Sequence, residues 1–291
     1  MVNLKEIVRE IEELFNMKYL VGAYEEIASM RMRKIRSSVL TSRDFVMELA
    51  AIYQEVTTSY RNQIINILKE KNMKSQKNLS VRRHNGKTAC VFLSANSGLF
   101  GDILQRTYRQ FLAYIDKTGA DPVIIGTFGK KLFEGQFPDR KFIYLVLVED
   151  QKKAESLRSI TEALVEYDNI IIYYALFQSM SSQTVAALDV YGLQTKLATA
   201  QPGTLSVEYI FEPSLERILE FFESQIFSTI LDQTFTESEL ARYAARMVAL
   251  DAATKNIDDK LKDVDLEKRL ASHRLANKKQ VESLSSMSLW G

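Results

Sequence analysis

The chain has 291 residues, 46% hydrophobic and 26% charged, enough to bury a sizeable core in one or two domains. Its formal net charge of +1 gives the whole molecule no electrostatic reason to seek nucleic acid or anionic lipid. Cys90 is the one cysteine and His84 and His273 the two histidines, so neither a disulfide framework nor a metal site is expected.

The N-terminal stretch MVNLKEIVREIEELF mixes acidic with apolar residues, unlike a signal-peptide core or an Arg/Ser-rich transit peptide. Leu4, Ile7, Ile11 and Leu14 step by three and four, as do Phe45, Leu49, Ile52 and Val56. Gly22 is the only glycine before Gly86, and no proline precedes Pro122, so nothing interrupts a long first helix. Arg31, Arg33, Lys34 and Arg36, followed by Arg43, form a basic cluster on it. Such a cluster is ordinarily a solvated face, and it acquires a role where the partner is acidic. The basic stretch Lys69–Lys87 is the expected linker.

The middle of the chain changes character. Thr88–Ser94, Val123–Phe128, Phe142–Val148 and Asn169–Ala175 are short runs rich in β-branched and aromatic residues. Helical patterns at Ile103–Lys117 and Lys152–Tyr167 separate several of them, which predicts a small, mostly parallel sheet in an α/β domain. Thr184–Leu193 and Thr204–Phe211 are expected edge strands. Ser97-Gly98-Leu99-Phe100-Gly101-Asp102 follows the first strand, where a phosphate-binding turn would sit. It has neither the Lys-Ser/Thr of a P-loop nor the three-glycine dinucleotide fingerprint, so Ser97, Gly98 and Gly101 are read as a structural turn. Neither histidine has a nucleophile or paired acid nearby in sequence, so no catalytic triad is expected.

The C-terminal part is again helical in pattern. Leu215, Ile218, Leu219, Phe222, Ile226 and Ile230 make one stripe, and Leu240, Ala244 and Met247 begin another that Asp251 interrupts. Leu261, Val264 and Leu270 make a thinner third, and Ala249, Ala252 and Ala253 would let a second helix approach closely. A helix of about 60 residues extends roughly 90 Å, too long for a compact domain, so it should pair with something. The arms either dimerise with another copy or pair with each other as one antiparallel coiled coil. No run reaches the roughly 20 apolar residues of a membrane span, so any membrane association is expected to come through partners. The expected domains are a helix over 1–70, an α/β domain over 71–211 and a helix over 212–291.

Several of these segments resemble the gamma subunits of F-type rotary ATP synthases. Val21–Lys34, VGAYEEIASMRMRK, resembles the family's first-helix signature, and Ser42-Arg43 recurs at the expected distance. Phe92–Gly101, FLSANSGLFG, is similar to the strand-turn of the family's α/β domain, and Tyr209–Pro213, YIFEP, to the opening of its last helix. The most specific likeness is AARMVALDAATKN, Ala244–Asn256. These segments run in the family's order along nearly the whole chain.

The resemblance implies a long antiparallel coiled coil of N- and C-terminal helices beside a small Rossmann-like α/β domain. It implies a rotor shaft without cofactor or catalytic residues, turning inside a hexamer of alpha and beta subunits, with epsilon and the membrane c-ring as further partners. Tyr24, Arg31, Arg33, Lys34 and Arg246 are then expected to contact the hexamer, with Arg274 and Gln280 as a polar catch. A peripheral position on the cytoplasmic face of a bacterial cell membrane follows from the same resemblance. The sequence departs from the pattern at Phe100 and Asp102, where Cys and Gly are common, and at Tyr24, where Met is usual. Leu275, Lys279 and Val281 replace the family's Gln, Thr and Glu near the C-terminus, with Gln280 and Glu282 next to them as the nearest polar substitutes. Two other classes stand beside this reading: the shaft of a diverged hydrolytic motor or ion pump, and a nucleotide-binding α/β enzyme with helical arms.

Overall fold

A computed structural model of the chain describes residues 4–59, 86–148, 153–190 and 214–288. Helix α1 spans Leu4–Ser59 and a final helix, α5, spans Leu215–Ser288. Between them lie β1 (Thr88–Leu93), α2 (Ile103–Thr118), β2 (Asp121–Ile125), α3 (Thr127–Gln136), β3 (Ile143–Leu145), α4 (Lys153–Leu164), β4 (Asn169–Phe177) and β5 (Gln183–Asp189). The chain forms two compact units, Met1–Arg31 with Arg246–Gly291, and Met32–Ala245. Both long helices contribute residues to both units.

In the larger unit the strands form one sheet of order β3-β2-β1-β4-β5. β1 pairs in parallel with β2 and β4, β2 pairs in parallel with β3, and β5 is an antiparallel edge on β4. Strand residues alternate between two faces because successive side chains point to opposite sides. Ala89, Val91 and Leu93 join a core with Tyr53 and Val56 of α1, Ile160 and Leu164 of α4, and Phe227, Ile230 and Phe235 of α5. Cys90 and Phe92 face the other way, into Tyr108, Phe111 and Ile115 of α2 and Phe133 of α3. A central strand buried on both faces reads as a continuous apolar run, as TACVFL does.

The predicted strand Val123–Phe128 ends sooner, at Ile125. Gly126 turns the chain with a φ of 100°, and Phe128 already belongs to α3, a helix that the apolar run concealed. In α1 the buried face follows Ile35, Val39, Ala50, Tyr53 and Val56, which leaves Phe45 and Ile52 about half exposed instead of within the predicted stripe. Of the expected edge strands, Thr204–Phe211 and residues 191–193 lie outside the described residues, as does all of the expected linker except Gly86 and Lys87.

The smaller unit is the predicted antiparallel pairing of the chain's two ends. Ile7 and Leu14 of α1 pack against Val264 of α5, with Ile11, Ile257, Leu261 and Ala271 around them. Leu270, expected in this seam, is 48% exposed, and its neighbour Ala271 takes the place. Lys18 donates to Asp258 at 2.6 Å, and Lys260 lies 3.6 Å from Glu10. Apolar spacing of three and four with charged pairs across the flanks is coiled-coil construction.

Candidate functional site

Three places carry the residues singled out by the sequence: the outer surface of α1, the distal part of α5, and the turn after β1. On α1, Tyr24 is 48% exposed and sits in a run of exposed apolar side chains with Met17, Leu20 and Ile27. Their spacing of three, four and three residues gives α1 a second stripe, distinct from the Ile7–Ile11–Leu14 seam that α5 covers. The basic cluster divides: Arg33, Lys34 and Arg36 point into solvent, whereas Arg31 is half-buried. Its exposed members are held on a helix whose inner face is fixed by Ile35 and Val39. On α5, Arg274 and Gln280 are exposed, within a stretch from 272 to 285 whose side chains are all exposed. Arg246 differs: it is 9% exposed and offers a partner far less surface than the others.

The turn after β1 is built from backbone contacts. The Ser94 amide donates to Ile125 at 2.9 Å and so extends the β1–β2 pairing by one residue. Asn96 then bridges the ends of two neighbouring strands: its Nδ2 donates to the Leu147 carbonyl at 2.7 Å, and its Oδ1 accepts from the Thr127 amide at 3.2 Å. The Thr127 hydroxyl donates to the Asn96 carbonyl at 3.0 Å, and the Phe128 amide donates to Ala95 at 2.9 Å. The Thr127 and Phe128 amides that open α3 are therefore occupied by the turn itself. Ser97 and Gly98 are exposed, and Gly98 needs neither a left-handed backbone nor free space around it. Gly101 does adopt a left-handed φ of 59°, and so does Leu99 at 67°.

In a sheet of this order the chain continues on opposite sides of β1, so the crevice beyond the carboxyl ends of β1 and β4 is where α/β proteins bind ligands. Here that place is filled. Ala95, Phe100, Ile103 and Leu104 form a cluster with Ala175 of β4 and with Ala241 and Ala245 of α5. Phe100 meets Tyr243 edge-on at 6.4 Å, so this departure from the usual turn residue is an aromatic filler. Arg242, 2% exposed, donates from one guanidinium nitrogen to the Ser94 carbonyl at 2.9 Å and to the Ser238 hydroxyl at 3.1 Å. Sequence reasoning passed over Arg242, Asn96 and Gly126. A polar residue inside a helical motif gives no local sign that a strand end will lie against it. Among the described residues no group of three His, Cys, Asp or Glu side chains is placed to hold a metal ion.

The family model described as ATP synthase matches residues 3–271. The ATP synthase gamma chain of Campylobacter curvus is 22% identical over 99% of both chains. That of Helicobacter pylori strain Shi470 is 24% identical over 97% of both. Among solved structures, a chain of the central stalk and c-ring of Tetrahymena thermophila mitochondrial ATP synthase aligns with a TM-score of 0.55 and 17% identity. The alignment covers 81% of this chain and 99% of that one. A chain of the Euglena gracilis mitochondrial ATP synthase aligns with a TM-score of 0.53 and 16% identity, covering 88% and 93%. Both are likenesses of fold.

Proposed function

Because the chain belongs to the ATP synthase gamma family, we propose that it is the non-catalytic central stalk of a rotary ATP synthase, carrying torque between a catalytic hexamer and a membrane ring. On this reading alpha and beta subunits surround the paired helices, and the α/β unit meets epsilon and the c-ring. The exposed stripe Met17, Leu20, Tyr24 and Ile27, the basic residues Arg33 and Lys34, and the exposed Arg274 and Gln280 are the surface offered to the hexamer. An asymmetric shaft drives catalysis elsewhere by contacting each surrounding site differently as it turns, which shifts the sites among conformations.

The observation that carries the non-catalytic assignment is the filled crevice. Beyond the carboxyl ends of β1 and β4, where a nucleotide would lie, Ala241, Arg242 and Ala245 of the chain's own helix are packed. That also weighs against an α/β enzyme with helical arms. No described helix is long and apolar enough to cross a membrane, and attachment at the cytoplasmic face of a bacterial membrane through partners fits the bacterial origin of the relatives. Purification of the tagged chain from its native cells tests the assignment: alpha and beta subunits should accompany it in threefold excess, as a single shaft in a three-fold hexamer requires. The isolated chain should neither bind nor hydrolyse ATP. Saturable binding at micromolar concentration, or recovery of the chain alone, would overturn the reading.

A further inference from the structure

The contact between α5 and the carboxyl end of β1 has an unusual make-up. From α5 the apolar contribution to this cluster comes from Ala241 and Ala245 alone, packed among Ala95, Phe100, Ile103, Leu104 and Ala175. Methyl groups give a smooth surface with no ridge to lodge in a groove, so such a contact resists separation better than it resists sliding or rolling. Tyr243 against Phe100 adds an edge-on aromatic contact.

Arg242 supplies what the alanines lack. Its guanidinium donates to the carbonyl of Ser94, and the amide of Ser94 is itself tied to Ile125 of the neighbouring strand. The acceptor is therefore part of the sheet, not of a loop that could follow the helix. The bond to Ser238, one turn earlier on α5, fixes where the guanidinium lies along its own helix. With the side chain 2% exposed, water does not compete for these positions, and a planar donor in a buried site keeps its direction.

We propose that Arg242 is the positioning residue that locks α5 to the carboxyl end of the sheet, beyond the packing of Phe227, Ile230 and Phe235, so that rotation of the helix is delivered to the α/β unit instead of being partly lost as slip where α5 offers only alanines. This rests on the central-stalk reading. If the lock is lost, the hexamer still turns over ATP against the helices, while less of each step reaches the membrane ring.

The test uses the whole complex in sealed vesicles, with ATP hydrolysis and ion transport read on the same preparation for wild type, Arg242→Met and Arg242→Lys. Met keeps the apolar stem without donors, and Lys keeps a charged donor without the planar fork. All three should assemble and hydrolyse ATP at similar rates. Ions moved per ATP should fall severalfold in R242M and less in R242K. Amide exchange across residues 94–102 should quicken by roughly tenfold or more in R242M, as expected for a lost charge-assisted bond. A wild-type transport ratio in R242M overturns the proposal. So does an equal fall of hydrolysis and transport, which marks Arg242 as a strut for assembly alone. Should R242M fail to assemble, R242K decides: a lowered ratio with intact hydrolysis supports the lock, and an unchanged ratio overturns it. Failure of the wild-type chain to join alpha and beta subunits is the separate result that removes the central-stalk reading.

Discussion

Gly126 has a backbone φ of 100°, and a Cβ there would stand 2.8 Å from the carbonyl oxygen of Ala95. Both features penalise any side chain, and the object in the way is backbone that is already bonded to α3. Gly126→Ala should destabilise the larger unit by about 1–3 kcal/mol from backbone strain alone. Thermal unfolding followed by circular dichroism should show a fall of about 2–4 °C for each kcal/mol. Cys90 has no exposed surface, and burial pushes its thiol from 9.0 up to about 12. The folded chain thus holds this proton more tightly than the unfolded chain. Its contribution to stability is complete below pH 9 and is lost as pH rises towards 12. At pH 8 a thiol reagent should label the native chain only at the rate at which it opens, and prompt labelling would contradict the burial.

Among elements, the paired ends and the central strands were legible in the sequence because each repeats one simple period over many residues. Ile7, Ile11 and Leu14 announce a helix seam, and TACVFL announces a strand buried on both sides. Helix α3 was not legible: its ten residues carry only three large apolar side chains, Phe128, Leu132 and Phe133, and follow the strand after a single glycine. The side assigned to Phe45, Ile52 and Leu270 also failed, since spacing alone does not say which of two adjacent apolar stripes is covered. The two stripes on α1 make a direct comparison possible. Leu14→Ala, in the covered seam, should cost about 2–5 kcal/mol and melt the helix pair early. Leu20→Ala, 60% exposed, should change stability of the isolated chain by no more than ~0.5 kcal/mol. Equal effects would mean that the seam is assigned to the wrong face.

At the scale of the whole molecule, stability and coupling are expected to separate. Arg33 and Lys34 are exposed on a helix anchored by Ile35 and Val39, so reversing both charges should alter folding by at most ~1 kcal/mol. If the exposed charge faces acidic surfaces of a surrounding hexamer, Arg33→Glu with Lys34→Glu should leave ATP hydrolysis running and lower ion transport. Paired hydrolysis and transport assays, with circular dichroism as the check on folding, read the difference. Normal transport in the double variant would assign these residues to a solvated face.

The pairing of the two ends has a consequence for how the chain is made. Lys18 and Asp258 are 240 positions apart, so this part of the smaller unit cannot close until that whole interval has been synthesised. At about 5–20 residues per second the ribosome needs roughly 12–48 s to cover that interval. Throughout it, Ile7, Ile11 and Leu14 have no partner, while the sheet, whose strands lie close together in sequence, is free to form first. The nascent first helix is therefore exposed to proteases and to other apolar surfaces throughout that interval. A chain stalled short of Ile257 carries a finished sheet and an apolar stripe that nothing of its own can cover.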